Sequence, residues 1–131
     1  MYLIDTSVVI DALKGTVNEK TGLYGALIDR GIPYGISVYT YYEVLQGVKG
    51  DRAFEDVRLA LSTIPHYRLE SSESYAAAAE IYRRCRASGI TPRSSVDLLI
   101  AQTAVENNLI LLHNDRDFDL MTACIKELEV R

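Results

Sequence analysis

The short, almost wholly apolar runs of this chain constrain its fold more than any other feature. Tyr2-Leu3-Ile4 and Leu109-Ile110-Leu111-Leu112 have no polar stripe, and neither is long enough to be a helix. A strand that is apolar on both sides must be covered on both sides, which is the condition of a parallel sheet between helices. The segments between these runs read as helices. The predicted helices span Ser7 to Lys14, closed by Gly15, and Asn18 to Arg30, closed by Gly31. Others span Tyr39 to Lys49, closed by Gly50, and a stretch capped by Asp51 that ends before Pro65. Ser72 opens an alanine-rich helix, Tyr75 to Ser88, ended by Gly89, and Ser95 to Asn107 is a strongly apolar helix. A short helix starts near Arg116. Strands are expected over residues 1–5, Pro33 to Val38, weakly over 66–69, over 109–112, and at the very end. The expected class is α/β: a three-layer α/β/α sandwich with a mostly parallel central sheet.

At 131 residues the chain has the size of one domain, and residues 1–131 are read as a single unit. A content of 48% hydrophobic and 24% charged residues is enough for one core. Only 3 prolines and 8 glycines interrupt it, so disorder is not expected. Cys85 and Cys124 are too few for a disulfide framework or a zinc site, and each reads as a buried free thiol. There is no basic leader and no apolar run of membrane-spanning length, so a cytoplasmic protein with no membrane association is expected. The net charge of −4 argues against a broad basic surface for nucleic acid. It leaves room for an enzyme whose metal ions meet the phosphates, because divalent cations invert the local charge.

In parallel α/β sheets, chemistry gathers beyond the carboxyl ends of the strands. Four acids fall there. Asp5 ends the first strand, and Glu43 lies in the first turns after the second. Asp97 sits near the start of the apolar helix, and Asp115 follows the fourth strand. Each has a modest explanation: Asp5 and Asp115 as helix caps, Thr40 and Glu43 as a capping box, Asp97 as a complement to its helix dipole. Taken singly, the cap is the better reading. Taken together, the acids converge on one edge, and clustered carboxylates repel unless a cation neutralises them. Asp97 also has Val96, Leu98, Leu99, Ile100 and Ala101 around it, and a carboxylate in apolar surroundings needs a partner. A cluster of carboxylates without His or Cys suits Mg²⁺ or Mn²⁺. The matching reaction is phosphodiester hydrolysis.

At these residues the chain resembles the PIN-domain family, and within it the VapC-type toxins of type II toxin–antitoxin systems. The resemblance rests on Ile4-Asp5-Thr6-Ser7-Val8, Glu43-Val44-Leu45-Gln46-Gly47, Asp97-Leu98-Leu99-Ile100-Ala101 and Asn114-Asp115-Arg116-Asp117-Phe118. It implies a metal-dependent RNA-cleaving site, with Asp5, Glu43, Asp97 and Asp115 on the family's acidic quartet. It also implies a hydroxyl role for Thr6 or Ser7 and an outer place for Asp117. The implied partners are an RNA substrate, a small VapB-like antitoxin whose tail can plug the pocket, and a second copy in a homodimer. His113 departs from the pattern, since similar proteins often carry Thr or Ser there. It reads as a partly buried polar residue without catalytic duty, able to donate a hydrogen bond to Asp115 or a phosphate.

Other features have quieter readings. Of the 9 tyrosines, Tyr39 and Tyr42 are expected to pack inward, with Tyr41 on another face. Arg83, Arg84 and Arg86 read as a solvated face with a Glu80–Arg84 pair. Arg93 and Arg116 flank Asp97 and Asp115, so either could touch phosphate or pair with the acids. His66 is assigned no role. Leu23, Ala26 and Leu27 give the second helix a packing face. The rival functions are a housekeeping PIN nuclease that trims RNA, a non-catalytic RNA- or protein-binding module, and a phosphatase or DNA nuclease. The presence of all four acids argues against the binding module.

Overall fold

A computed structural model describes all 131 residues. Five parallel strands lie in the order β3-β2-β1-β4-β5: β1 is Tyr2–Ile4, β2 Tyr34–Ser37, β3 His66–Tyr67, β4 Ile110–Leu112 and β5 Glu129–Val130. Register is set by the pairs Leu3↔Gly35 and Leu3↔Leu111. Gly35 is required there, because a Cβ would lie 2.7 Å from the Pro65 carbonyl oxygen and 2.6 Å from the Tyr67 ring. The helices are α1 Thr6–Leu13, α2 Glu19–Asp29, α3 Val38–Gln46, α4 Asp51–Ser62, α5 Ser72–Ala87, α6 Ser95–Glu106 and α7 Arg116–Thr122. None is long and apolar enough to cross a membrane.

Alternation along the central strands produces the three layers. Leu3 and Leu111 face one way, into a core with Ile81, Ile100, Phe118 and Met121 of α5, α6 and α7. Ile4 and Leu112 face the other way, onto Val8, Leu27, Val44 and Leu61 of α1 to α4. The expected sandwich is therefore the observed one.

Several boundaries differ from the sequence reading, each for a local reason. Ser37, the last residue of β2, caps α3 by accepting from the Thr40 amide at 3.0 Å, so α3 starts one residue early. Thr40 and Glu43 therefore form no capping box. The helix stops at Gln46 rather than Lys49, and Gly50, at φ 89°, is the N-cap of α4. Asp51 is that helix's first residue, not its cap. In α3 the inward pair is Tyr39 and Tyr41, which pack on the two opposite cores, while Tyr42 is exposed. Glu80 pairs with Arg83 at 3.3 Å, and Arg84 reaches Glu127 and the Cys124 carbonyl instead. Cys85 and Cys124 are free thiols with sulfurs 2.9 Å apart; Cys85 is buried and Cys124 partly so.

Candidate active site

The sheet order reverses at β1: the chain goes out through β2 and β3, then returns to β4 on the other side. That reversal opens a crevice beyond the carboxyl ends of β1 and β4. Asp5 and His113 are the first residues past those ends. Backbone bonds from the Asp5 amide to Leu112 and from the His113 amide to Arg131 extend the ladder up to them. The rigid sheet thus aims the residues that follow.

Asp5 is buried, and its two carboxylate oxygens have different surroundings. Oδ2 accepts from the Ser7 amide at 3.0 Å and the Ser7 hydroxyl at 2.6 Å, so Asp5 is indeed the N-cap of α1. Oδ1 is buried without any hydrogen-bond partner. A buried, unpartnered carboxylate oxygen is costly and needs an occupant. Burial is the largest cause raising the Asp5 pKa, with Glu43 adding to it.

Glu43 reaches the crevice from the second turn of α3. Thr6 donates to its Oε1 at 2.6 Å, and the Thr6 hydroxyl lies 3.1 Å from that of buried Thr40. Thr40 in turn lies 3.3 Å from the Ser37 hydroxyl. A chain of hydroxyls therefore holds Glu43 from below. Ser7 does comparable work for Asp5: its hydroxyl also accepts from the Asn114 amide at 2.9 Å, tying α1 to the end of β4.

Asp97, Asp115 and Asp117 complete the cluster, with one oxygen from each lying within 4.8 Å of the others. Asp97 enters from the first turn of α6, whose N-cap Ser94 makes no side-chain cap bond. Its pKa is pushed up to about 7, first by burial and then by the charges of Asp5, Asp115, Glu43 and Asp117. Asp5, Glu43 and Asp115 therefore all act on Asp97 by charge, and Asp117 joins Asp97 and Asp115 in the close group. Asp115 also caps α7, accepting from the Asp117 amide at 3.0 Å, so both roles expected for it coexist. Asp117, weighed as an outer acid, is buried more fully than Asp115. Arg93 donates to Asp117 at 3.0 Å and approaches Asp115 at 3.9 Å, so it is an ion-pair partner of the acids. Arg116 is exposed beside them.

His113 is fully buried rather than partly so. Its Nδ1 accepts from the Asp115 amide at 3.1 Å, leaving the proton on Nε2, 3.4 Å from Asp119. The histidine therefore accepts from the Asp115 backbone, where a donation to Asp115 was expected. Burial holds its pKa below the usual value. Sequence reasoning missed Ser37 and read Thr40 only as part of a capping box. Ser37 was readable as a cap directly after an apolar strand.

The donor set is all carboxylate, it includes one orphaned buried oxygen, and its charges repel. These properties fit a hard divalent cation: Asp97, Asp115 and Asp117 lie close enough to share one ion, and Asp5 and Glu43 act on Asp97 through their charge.

Comparison with known proteins agrees with this fold. The PIN domain family model matches residues 2–123. Ribonuclease VapC11 of Mycobacterium tuberculosis is 28% identical over 122 residues, covering 92% of this chain and 91% of that protein. The VapC ribonuclease Mb1587 of Mycobacterium bovis matches to the same extent. Among solved structures, VapBC2 from Rickettsia felis bound to a promoter DNA fragment superposes with a TM-score of 0.77 at 18% identity, covering 99% of this chain and 96% of that one. DNA-bound VapBC from Salmonella typhimurium gives 0.77 at 19%, with the same coverage. With the family model covering nearly the whole chain, this protein belongs to the PIN domain family.

Proposed function

We propose that this protein is a divalent-metal-dependent endoribonuclease, the toxin of a VapBC-type pair acting in the cytoplasm. The observation that carries the reading is Asp97. Its burial among four other acids raises its pKa to about 7, an arrangement that is costly for the bare protein and useful for one that binds cations. The relatives named as VapC ribonucleases supply the substrate class. Mg²⁺ or Mn²⁺ bound here would supply positive charge against the phosphoryl oxygens and activate water for attack.

The chain's own residues organise that site. Asp5 and Asp115 are the N-caps of α1 and α7 and Asp97 lies in the first turn of α6, so helix starts at the sheet edge set their spacing. Thr6 and Ser7 hold Glu43 and Asp5 by donating to them, which leaves Asp5 Oδ1 without a hydrogen-bond partner. Arg93 pairs with Asp117 at 3.0 Å. Partner binding has its own support. Ile10, Leu13, Val44, Val48 and Val57 line an apolar groove of about 290 Å³ between α1, α3 and α4, suited to an apolar antitoxin segment. A homodimer through α5 and α6 would cover the apolar hollow at Tyr75, Ala78, Leu98 and Leu99.

The decisive experiment measures RNA cleavage with Mg²⁺, with Mn²⁺ and with EDTA, alongside Asp5→Asn. Cleavage that needs metal and disappears in the variant is the expected result. A folded, antitoxin-free protein that cleaves no RNA under any of these conditions would sink the proposal in favour of a binding module.

A further inference from the structure

Beside the acid cluster lies a second cleft, of about 480 Å³, with no hydrophobic residue in its walls. It shares Ser7, Arg93 and Asp115 with the rim of the cluster, so the two are continuous. Lys20, from the first turn of α2, and Arg116, the first residue of α7, also line it, together with the carboxylate of Asp119. Neither cation has a carboxylate within ion-pair distance, whereas Arg93 is already committed to Asp117. The buried His113 contributes to the lining, and its Nε2 makes no hydrogen bond. In a chain with net charge −4, two unpaired cations facing one polar cleft next to five acids are a local exception.

The chemistry of such a cleft is that of a phosphodiester. A single strand that places one phosphate at the carboxylates runs its next phosphate into the adjoining cleft. We propose that Lys20 and Arg116 seat the phosphate adjoining the scissile one in a single-stranded RNA. The inference rests on the nuclease reading given above. It makes Lys20 and Arg116 positioning residues that grip the strand and leave the chemistry to the acids. Arg116 was visible in the sequence as a phosphate candidate. Lys20 was not, because it is 95 residues away in the chain and only the fold brings it to Asp115.

The test uses the full chain and a labelled, unstructured 20-nucleotide RNA. Affinity is measured in EDTA across a KCl series, and cleavage of total RNA is measured in Mn²⁺. The variants are Lys20→Gln, Arg116→Gln and Lys20→Arg. Lys49→Gln, on the turn after α3 at the opposite edge of the sheet, removes the same charge as a control. Lys20→Gln and Arg116→Gln should each weaken binding about 3- to 10-fold and reduce the slope of log affinity on log salt by about 0.7, one lost phosphate contact. The cleavage loss should fall on KM, and Lys20→Arg should restore it. If Lys20→Gln and Arg116→Gln keep the slope and affinity of Lys49→Gln, the subsite is wrong. RNA that binds but is never cleaved by the wild type would overturn the nuclease reading and leave the slopes to judge the subsite. A wild type that neither binds nor cleaves RNA would overturn both.

Discussion

The acid cluster has two halves built on different terms. Asp5 and Glu43 are supported: each accepts a 2.6 Å bond from a neighbouring hydroxyl, and those hydroxyls are anchored in turn to Thr40 and the Asn114 amide. Asp97, Asp115 and Asp117 stand on the other side with a single exposed arginine against them. The supported half is held in place whatever occupies the site. The other half is strained by repulsion, and the strain gathers on Asp97, whose pKa reaches about 7. A site of this kind combines geometry fixed in advance with charge waiting to be neutralised, and substitutions should behave differently on the two sides.

The largest effects should come from the acids themselves. Asp5→Asn and Asp97→Asn should each reduce metal-dependent RNA cleavage by about 10³-fold or more, since each removes a charged oxygen from the cation's place. Circular dichroism should show the fold unchanged in both. Near-normal cleavage by either variant would mean the cation is held elsewhere. Next come the supporting hydroxyls. Thr6→Val should lower activity by about 10- to 100-fold, the range for residues that orient metal-binding carboxylates. Excess Mn²⁺ should restore part of it. Full activity in Thr6→Val would show that Glu43 holds its position unaided and would erase the contrast between the halves.

Much of this site was legible from the chain alone, for a physical reason. A parallel sheet puts the residues after its strands at one edge, so Asp5, Glu43, Asp97 and Asp115 could be gathered without coordinates. What the sequence hid was how each is held. Thr6 to Glu43 spans 37 residues and Ser7 to Asn114 spans 107, distances at which no periodicity or cap rule speaks. The same limit explains α3. Its start moved because Ser37 ends a strand and caps a helix at once, and α3 touches both cores, so Tyr39 and Tyr41 pack on opposite sides and Tyr42 is left exposed. His113 was misjudged in burial because its ring is enclosed by Phe118, which lies across the following turn.

A smaller effect concerns stability. The Asp97 pKa in the folded protein lies above its ordinary 3.8, so the native state holds that proton more tightly than the unfolded chain. Below about pH 4 the group is neutral in both states and costs nothing. The cost grows as pH rises from about 4 to about 7 and is complete above that. In EDTA at pH 8, Asp97→Asn should therefore raise the melting temperature by about 2–6 °C, and the gain should shrink as pH falls toward 4. A drop in melting temperature at pH 8 would show that Asp97 serves mainly as a helix cap, and the strained half would lose its defining member.

The smallest effect belongs to Arg93, and it separates two accounts of the strained half. Arg93 pairs with Asp117 at 3.0 Å and lies 3.9 Å from Asp115, and its side chain remains 73% exposed. An exposed pair contributes little by itself. Its position gives it a second consequence, because its charge sits where it repels any cation approaching Asp97, Asp115 and Asp117. In Arg93→Gln that repulsion is gone and Asp117 is released. Mn²⁺ should then bind about two- to fivefold more tightly by calorimetry, while the metal-free protein melts slightly earlier because the acids have lost their one ion-pair partner. The two changes must have opposite signs if Arg93 stands in for the ion when the ion is away. Unchanged Mn²⁺ affinity with an earlier melt would reduce Arg93 to a brace for α7. Weaker Mn²⁺ binding would mean that Arg93 shapes the acids into their binding geometry, so that the open half of the site is as deliberately supported as the half built on Thr6 and Ser7.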